Sequence, residues 1–303
     1  MKIVLLIGKK HGLGSLKIFS DNFDISKVYI FKEDLHEIEQ FSKKIKEFCS
    51  RRKISCDYWK DENDLLKISN VDILVAIKWR FLFSNKVINL PKYGCFAIHD
   101  SLLPKYRGAS PLNWAIANGE SKVGATLFEV NENVDSGKIL DQKSFRIKED
   151  QLFGEINDLM YETYLDLIES LILKIKERNF RGKKQDESKA SYCCRRTPED
   201  GEINWSKNTR EIFNLYRAVS PPAPGCFTFF NDKKIYILDC EIIDDRSSYV
   251  GSVSGRIVHS SKSEGYVDVL TGNGVLRLNL VKVGNAILPP SKIIKSISST
   301  LGN

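Results

Sequence analysis

Five short apolar runs, KIVLLIG (2–8), KVYIF (27–31), ISCDY (54–58), DILVAI (72–77) and GCFAIH (94–99), open the chain, with longer segments of mixed polarity between them. Most show no strict alternation of apolar and polar residues, so both faces of each strand must be covered, as in a parallel sheet wrapped by helices. One intervening segment, Glu33 to Arg52, sets Leu35, Ile38, Phe41, Ile45 and Phe48 at helical spacing. The alternation predicts an α/β fold with a Rossmann-like, doubly wound sheet. Such sheets gather ligands at the carboxyl ends of their strands, and His99 closes the fifth run at that edge.

Further on, the pattern predicts a strand near 138–147 and a long helix from Leu152 to Glu177. On that helix Leu152, Ile156, Leu159, Met160, Tyr164, Leu167, Ile168, Leu171, Ile172 and Ile175 draw one apolar stripe for packing. NFRGKKQDESKA (179–190) loses periodicity and gains charge, the pattern of an exposed linker whose charges meet water. From Tyr192 the texture changes. A helix near 208–219 is stopped by the proline-rich Ser220 to Gly225, and strand-like runs follow at 225–230, 234–242, 253–260, 265–270 and 275–283. They predict a smaller OB-like β-barrel domain, with domain boundaries at 1–190 and 191–303. The tail from Leu288 fits either a closing helix or a loosely held end.

A chain of 303 residues with 42% hydrophobic content can fill two such cores. Its charge of +7, from 46 basic and 39 acidic residues, suits an anionic small-molecule substrate as well as a nucleic acid, so charge does not choose. Seven cysteines form no CxxC pair, and the odd count without a signal peptide predicts reduced thiols in a cytoplasmic protein, with neither disulfide nor metal. No run approaches the length of a membrane span, so no membrane partner is expected. The loop read at Gly8 to Gly14 lacks the GxGxxG spacing of a dinucleotide site, and Phe31-Lys32 stands where a ribose-binding acid is needed.

Chemistry concentrates between Gly94 and Leu140. His99 has Asp100, Ser101, Arg107 and Asp135 within plausible reach. His11, His36 and His259 have no second polar group fixed near them and read as structural or surface residues. Asp135, in Val-Asp-Ser-Gly, reads equally well as a turn residue. Ser101 lacks the glycine flanks of a nucleophile elbow, which weakens a hydrolase. Lys105-Tyr106-Arg107-Gly108 and Lys78-Trp79-Arg80 offer cations beside aromatic rings, suited to phosphates and a ring system.

IHDSLLPKYRGASPLNWAIANGE followed by GATLFEVNENVDSGKIL resembles the folate-dependent formyltransferase family, whose motif is Asn-x-His-x-Ser-Leu-Leu-Pro with an aspartate at the distance separating His99 from Asp135. RRTPEDGEINW, NLYRAVSPPAPGCF and LTGNGVLRLNLV look like the C-terminal domain shared by methionyl-tRNA formyltransferases and sugar-nucleotide N-formyltransferases. The resemblance implies a catalytic domain at 1–190 that moves a formyl group from the cosubstrate N10-formyltetrahydrofolate to a primary amine. His99 would stabilise the developing oxyanion and handle the proton, with Asp135 orienting the imidazole or accepting protons through water. The pterin would lie near Trp79, Phe81 and Leu82 with the loop of Asn133 and Val134 across it. Lys9, Lys78, Ser101, Lys105, Tyr106, Arg107 and Gly108 would meet the acceptor.

Where the family motif has its asparagine, this chain has Ala97. Losing one oxyanion donor costs roughly 10²–10³ in rate, so the chain is expected to be impaired. A substitution made to trap ligands suits the otherwise complete site; a natural departure with altered chemistry is the other origin. The long basic insertion of methionyl-tRNA formyltransferases corresponds here to the short, mixed-charge KVYIFKEDLHEIEQ, which disfavours tRNA. SLLPKYRG, PLNW and NGE look closer to the aminoarabinose-modifying formyltransferase domain. The leading expectation is therefore a nucleotide-linked amino sugar, a precursor of bacterial cell-surface glycan or lipopolysaccharide. Methionyl-tRNA formyl transfer and a silent folate or nucleotide-sugar binder are the alternatives, and a homodimer is compatible with the sequence.

Overall fold

The computed structural model describes residues 1–34, 39–243 and 249–302. Leu35, His36 and Ile38, named in the reading above, lie outside the described residues. The chain divides into two compact units that interleave in sequence. Met1–Leu112, Lys122–Ile147 and Ile156–Arg195 make the first; Asn113–Ser121, Lys148–Glu155 and the chain from Arg196 onward make the second.

The first unit begins with β1 (Ile3–Ile7), α1 (Lys9–Asn22), β2 (Ile25–Ile30), α2 (Phe41–Arg52), β3 (Cys56–Tyr58), α3 (Asn63–Leu66), β4 (Ile73–Ile77), α4 (Asn85–Ile88) and β5 (Cys95–His99). Every residue of β1 and β4 is buried, as apolar runs without alternation require. The chain continues through β6 (Arg107–Gly108), α5 (Pro111–Ala117), β7 (Lys122–Glu129), β8 (Ile139–Arg146), α6 (Phe153–Glu177) and β9 (Tyr192–Cys193). The main sheet has the order β3-β2-β1-β4-β5-β7-β8. It is parallel from β3 to β5 and antiparallel beyond, a Rossmann-like sheet extended by a hairpin. That hairpin's first strand, β7, buries six consecutive residues and was not distinguished in sequence from the loop-rich stretch before Asp135.

Gly8 to Gly14 is not the loop expected. Helix α1 starts at Lys9, and Gly14 lies on its buried face, where a Cβ would stand 2.6 Å from the Tyr161 hydroxyl of α6. The glycine permits close helix packing. The stripe on α6 packs as expected from Ile156 onward except at Leu159, which faces solvent; Leu152 precedes the helix and is half-buried.

The second unit carries α7 (Thr209–Val219), β10 (Cys226–Phe230), β11 (Lys233–Ile243), β12 (Ile257–Ser260), β13 (Val267–Leu270), β14 (Val275–Val283) and β15 (Ala286–Leu288). Its antiparallel sheet runs β10-β11-β14-β13-β12, with β15 on β14. Asn208 and Glu211 start α7 by reciprocal capping. The tail is neither a closing helix nor a loose end. After one 3-10 turn at Pro290–Lys292, Leu301 is buried with its N–H donating to Gly255 O at 2.8 Å, and Gly302 N–H donates to Phe229 O at 2.9 Å. Among the described residues no helix is long and apolar enough to cross a membrane.

Candidate active site

β5 carries His99 to the carboxyl edge of the parallel strands, where the residue is 9% exposed. Nε2 lies 2.7 Å from the Tyr106 carbonyl, and Nδ1 lies 3.5 Å from Asp135 Oδ2. A carbonyl can only accept, so the shorter contact places a proton on Nε2. The neutral ring then holds its lone pair on Nδ1, facing the carboxylate, and protonation there completes a charge-assisted pair. Asp135 does occupy a turn-like backbone, with φ of 49°, yet its Oδ2 also accepts the Gly108 N–H at 2.8 Å.

The Tyr106 carbonyl is held by a dense loop. Ser101 Oγ donates to Lys105 O at 2.7 Å, Thr126 Oγ1 donates to Ser101 O at 2.6 Å, and Tyr106 N–H donates to Ser191 Oγ at 2.9 Å. Gly108, at φ of 100°, pairs with Cys193, whose carbonyl would be 2.5 Å from any Cβ. No side chain other than hydrogen fits there.

Asp100 turns away from this pair. Its carboxylate meets Lys78 Nζ and the Tyr164 hydroxyl, which also lies 3.0 Å from Ile98 O. Burial pushes the Asp100 carboxyl up, but the Lys78 cation and the hydrogen bonds from Lys78 and Tyr164 outweigh it and hold the carboxyl at about 2. Burial lowers the Lys78 ammonium against the attraction of Asp100. The buried pair stays ionised, because the carboxylate keeps both its cation and a hydroxyl donor. His11, 2% exposed, borders this cluster with neither ring nitrogen hydrogen-bonded. Burial first, then Lys78, pushes it well below the usual imidazole range, so it is neutral.

Three residues expected to meet substrate are turned inward instead. Ser101 is spent on its own loop, and Lys78 on Asp100. Arg107 is 1% exposed and has all five N–H donors engaged. Nε and Nη2 reach Gln185 Oε1 at 3.2 and 2.8 Å, Nη1 reaches Glu187 Oε2 at 2.8 Å and the Tyr192 hydroxyl at 3.0 Å, and Nη2 reaches Glu187 Oε1 at 2.7 Å. The 179–190 segment is thus not simply solvated, since it supplies Gln185 and Glu187. Nothing in its composition marks them, because their partners are distant in sequence. Lys9 and Lys105 are exposed.

Trp79 packs edge-on against Phe31, Trp59 and Phe81, with ring centroids 5.7, 5.3 and 5.3 Å away. Its buried indole Nε1 has no hydrogen-bond partner. Phe81, Leu82 and Val134 are 38%, 80% and 43% exposed, so these three present open apolar surface rather than a closed slot, and the polar Asn133 beside Val134 is exposed as well. Ala97 is the one residue of β5 that is not buried; it pairs with Ala76 of β4 and Phe128 of β7. No group of three or more His, Cys, Asp or Glu among the described residues could hold a metal ion.

A family model described as formyl transferase matches residues 1–165, and one described as formyl transferase, C-terminal domain, matches residues 195–298. The methionyl-tRNA formyltransferase of Clostridium acetobutylicum is 36% identical over 173 residues, covering 57% of this chain and 56% of that protein, little more than half its length. The methionyl-tRNA formyltransferase of Fusobacterium nucleatum is 32% identical over 246 residues, 80% of this chain and 78% of its own. Among solved structures, WlaRD, a sugar 3N-formyl transferase determined with dTDP and 5-N-formyl-THF, has a TM-score of 0.70 at 21% identity, covering 94% of this chain and 98% of its own. The N-formyltransferase of Helicobacter canadensis, in complex with folinic acid and dTDP-3-aminofucose, has a TM-score of 0.71 at 19% identity over 91% and 97%. At those identities the two structures establish a shared fold.

Proposed function

Because this chain belongs to the formyltransferase family, we propose that it transfers a formyl group from N10-formyltetrahydrofolate to the primary amine of a nucleotide-linked amino sugar. The chemistry would reside in residues 1–190 and take place in the cytoplasm. The observation that carries the reaction is His99 held between the Tyr106 carbonyl and the Asp135 carboxylate. When the amine attacks the formyl carbon, a new C–N bond forms, charge collects on the formyl oxygen, and the bond to folate N10 must break. Nδ1 of His99 accepts the proton released by the amine and returns it to the departing nitrogen. Asp135 stabilises the imidazolium between those events, while Nε2 stays bound to Tyr106 and keeps the ring in place. At Ala97 no amide is present to stabilise the oxygen, so turnover is expected to be slower by roughly 10²–10³ than with asparagine there.

For the folate, the aromatic wall around Trp79 offers a face for a ring system, and its unpaired buried indole N–H offers a donor to an acceptor atom on that ring's edge. Asn133 and Val134 would supply the loop across it. For the acceptor, Lys9 and Lys105 are exposed cations suited to a diphosphate. Residues 31–40, FKEDLHEIEQ, carry four carboxylates against one lysine and would repel an RNA backbone. The fold likeness to WlaRD and to the Helicobacter canadensis enzyme also supports a sugar. Methionyl-tRNA is the second reading, favoured by 32% identity over 246 residues to a tRNA enzyme.

A thermal-shift screen with uridine-, thymidine- and guanosine-linked amino sugars, folate present, separates them. Stabilisation by one of these supports the sugar reading. No shift with any of them, together with salt-sensitive tRNA binding, would replace it.

A further inference from the structure

Both partners of His99 sit on loops, and two loop-borne groups keep a fixed separation only when something ties the loops together. The geometry points to Gln185 as that tie, a positioning residue that sets the distance between the Tyr106 carbonyl and the Asp135 carboxylate and thereby holds His99 against both. Gln185 is 5% exposed. Its Oε1 accepts from Arg107 Nε and Nη2, and its Nε2 donates to Asp135 O and Gly137 O, both at 2.8 Å. A primary amide has two donor hydrogens and two acceptor lone pairs. All four are used, and exchanging O and N would aim N–H groups at a guanidinium and an oxygen at two carbonyls. The amide therefore has one workable orientation.

Each half of that amide reaches one side of the imidazole. Arg107 directly follows Tyr106, whose carbonyl faces Nε2, and Asp135 faces Nδ1. The Gly108 N–H donating to Asp135 Oδ2 closes the circuit from the other side. Glu187 and Tyr192 hold the outer edge of the Arg107 guanidinium, so Arg107 cannot swing to follow a displaced Gln185 without losing three further bonds. This inference rests on the proposed catalytic pair only for its consequence on turnover.

The test is proton exchange in the full chain. Gln185→Leu removes all four bonds at similar bulk. Gln185→Glu keeps the Arg107 half and turns an acceptor oxygen on the carbonyls of Asp135 and Gly137. In the native protein the Gly108 amide proton and the His99 Nε2 proton, identified by its loss in His99→Asn, should exchange slowly. Gln185→Leu should speed both by about tenfold, whereas Gln185→Glu should speed Gly108 and spare His99, with the amides of β1 and β4 unchanged. Where formyl transfer is measured, kcat should fall by about tenfold in both variants with the folate KM within about twofold. Native exchange at Gly108 and His99 in both variants overturns the inference, as does an equal loss of protection in β1 and β4, which would reduce Gln185 to packing. If the leucine variant fails to fold, the glutamate variant decides alone. Exchange does not depend on turnover, so the expected exchange pattern together with no formyl transfer even in the Ala97→Asn protein would overturn the proposed function and leave Gln185 as the tie.

Discussion

Two aspartates lie near His99 and do opposite work. Asp100, its neighbour in sequence, is paired with Lys78 and bonded by Tyr164 in a cluster that His11 borders. Asp135 comes from a separate loop, accepts a backbone N–H, and faces the imidazole. A carboxylate neutralised by its own buried cation is committed to stability. One whose bonded partner is a neutral N–H keeps the capacity to stabilise charge that appears during a reaction.

The contrast should be largest in stability. Lys78→Met leaves Asp100 charged and buried without its cation, and should lower the unfolding free energy by about 3–5 kcal/mol. Asp135→Asn should change it by less than about 1 kcal/mol. Denaturant titration of both variants checks this, and equal losses would erase the distinction. In activity the order reverses: in the Ala97→Asn protein, Asp135→Asn should slow formyl transfer by about a hundredfold or more.

The pH dependence of stability sharpens the same contrast. Neutral, buried His11 stays unprotonated in the fold, whereas the unfolded chain binds a proton below its ordinary value of 6.5. Stability from this source is full above that pH and falls below it, by up to about 1.4 kcal/mol per pH unit. Asp100 titrates at about 2 in the fold against an ordinary 3.8, so its contribution is full above 3.8 and is lost as pH falls towards 2. His11→Phe should flatten the upper window and leave the lower one, read as denaturation midpoints against pH. The smallest effect belongs to Leu82, which is 80% exposed. Leu82→Ser should leave stability within about 0.5 kcal/mol, and if the pterin does lie against it, should raise the folate KM by about fivefold.

The parallel sheet was legible because unalternating runs such as KIVLLIG and DILVAI have few other places to go. Helix α6 was legible from its stripe, although Tyr164 on that stripe also carries a hydroxyl to Asp100. The glycines of 8–14 misled because a tight turn and a close helix contact call for the same residue. Arg107 misled for a related reason: a basic loop beside a tyrosine reads the same whether its guanidinium faces a phosphate or a buried Gln185 and Glu187. Long-range partners of this kind leave no local periodicity.

The most direct measurement compares N10-formyltetrahydrofolate-dependent formylation of the nucleotide-linked amino sugar selected by thermal shift, using the native chain, Ala97→Asn, and Ala97→Asn combined with His99→Asn. Formyl transfer at His99 predicts a gain of roughly 10²–10³ on restoring the amide and its loss when the imidazole is removed. No gain in Ala97→Asn, or a gain that survives without His99, would contradict the assignment.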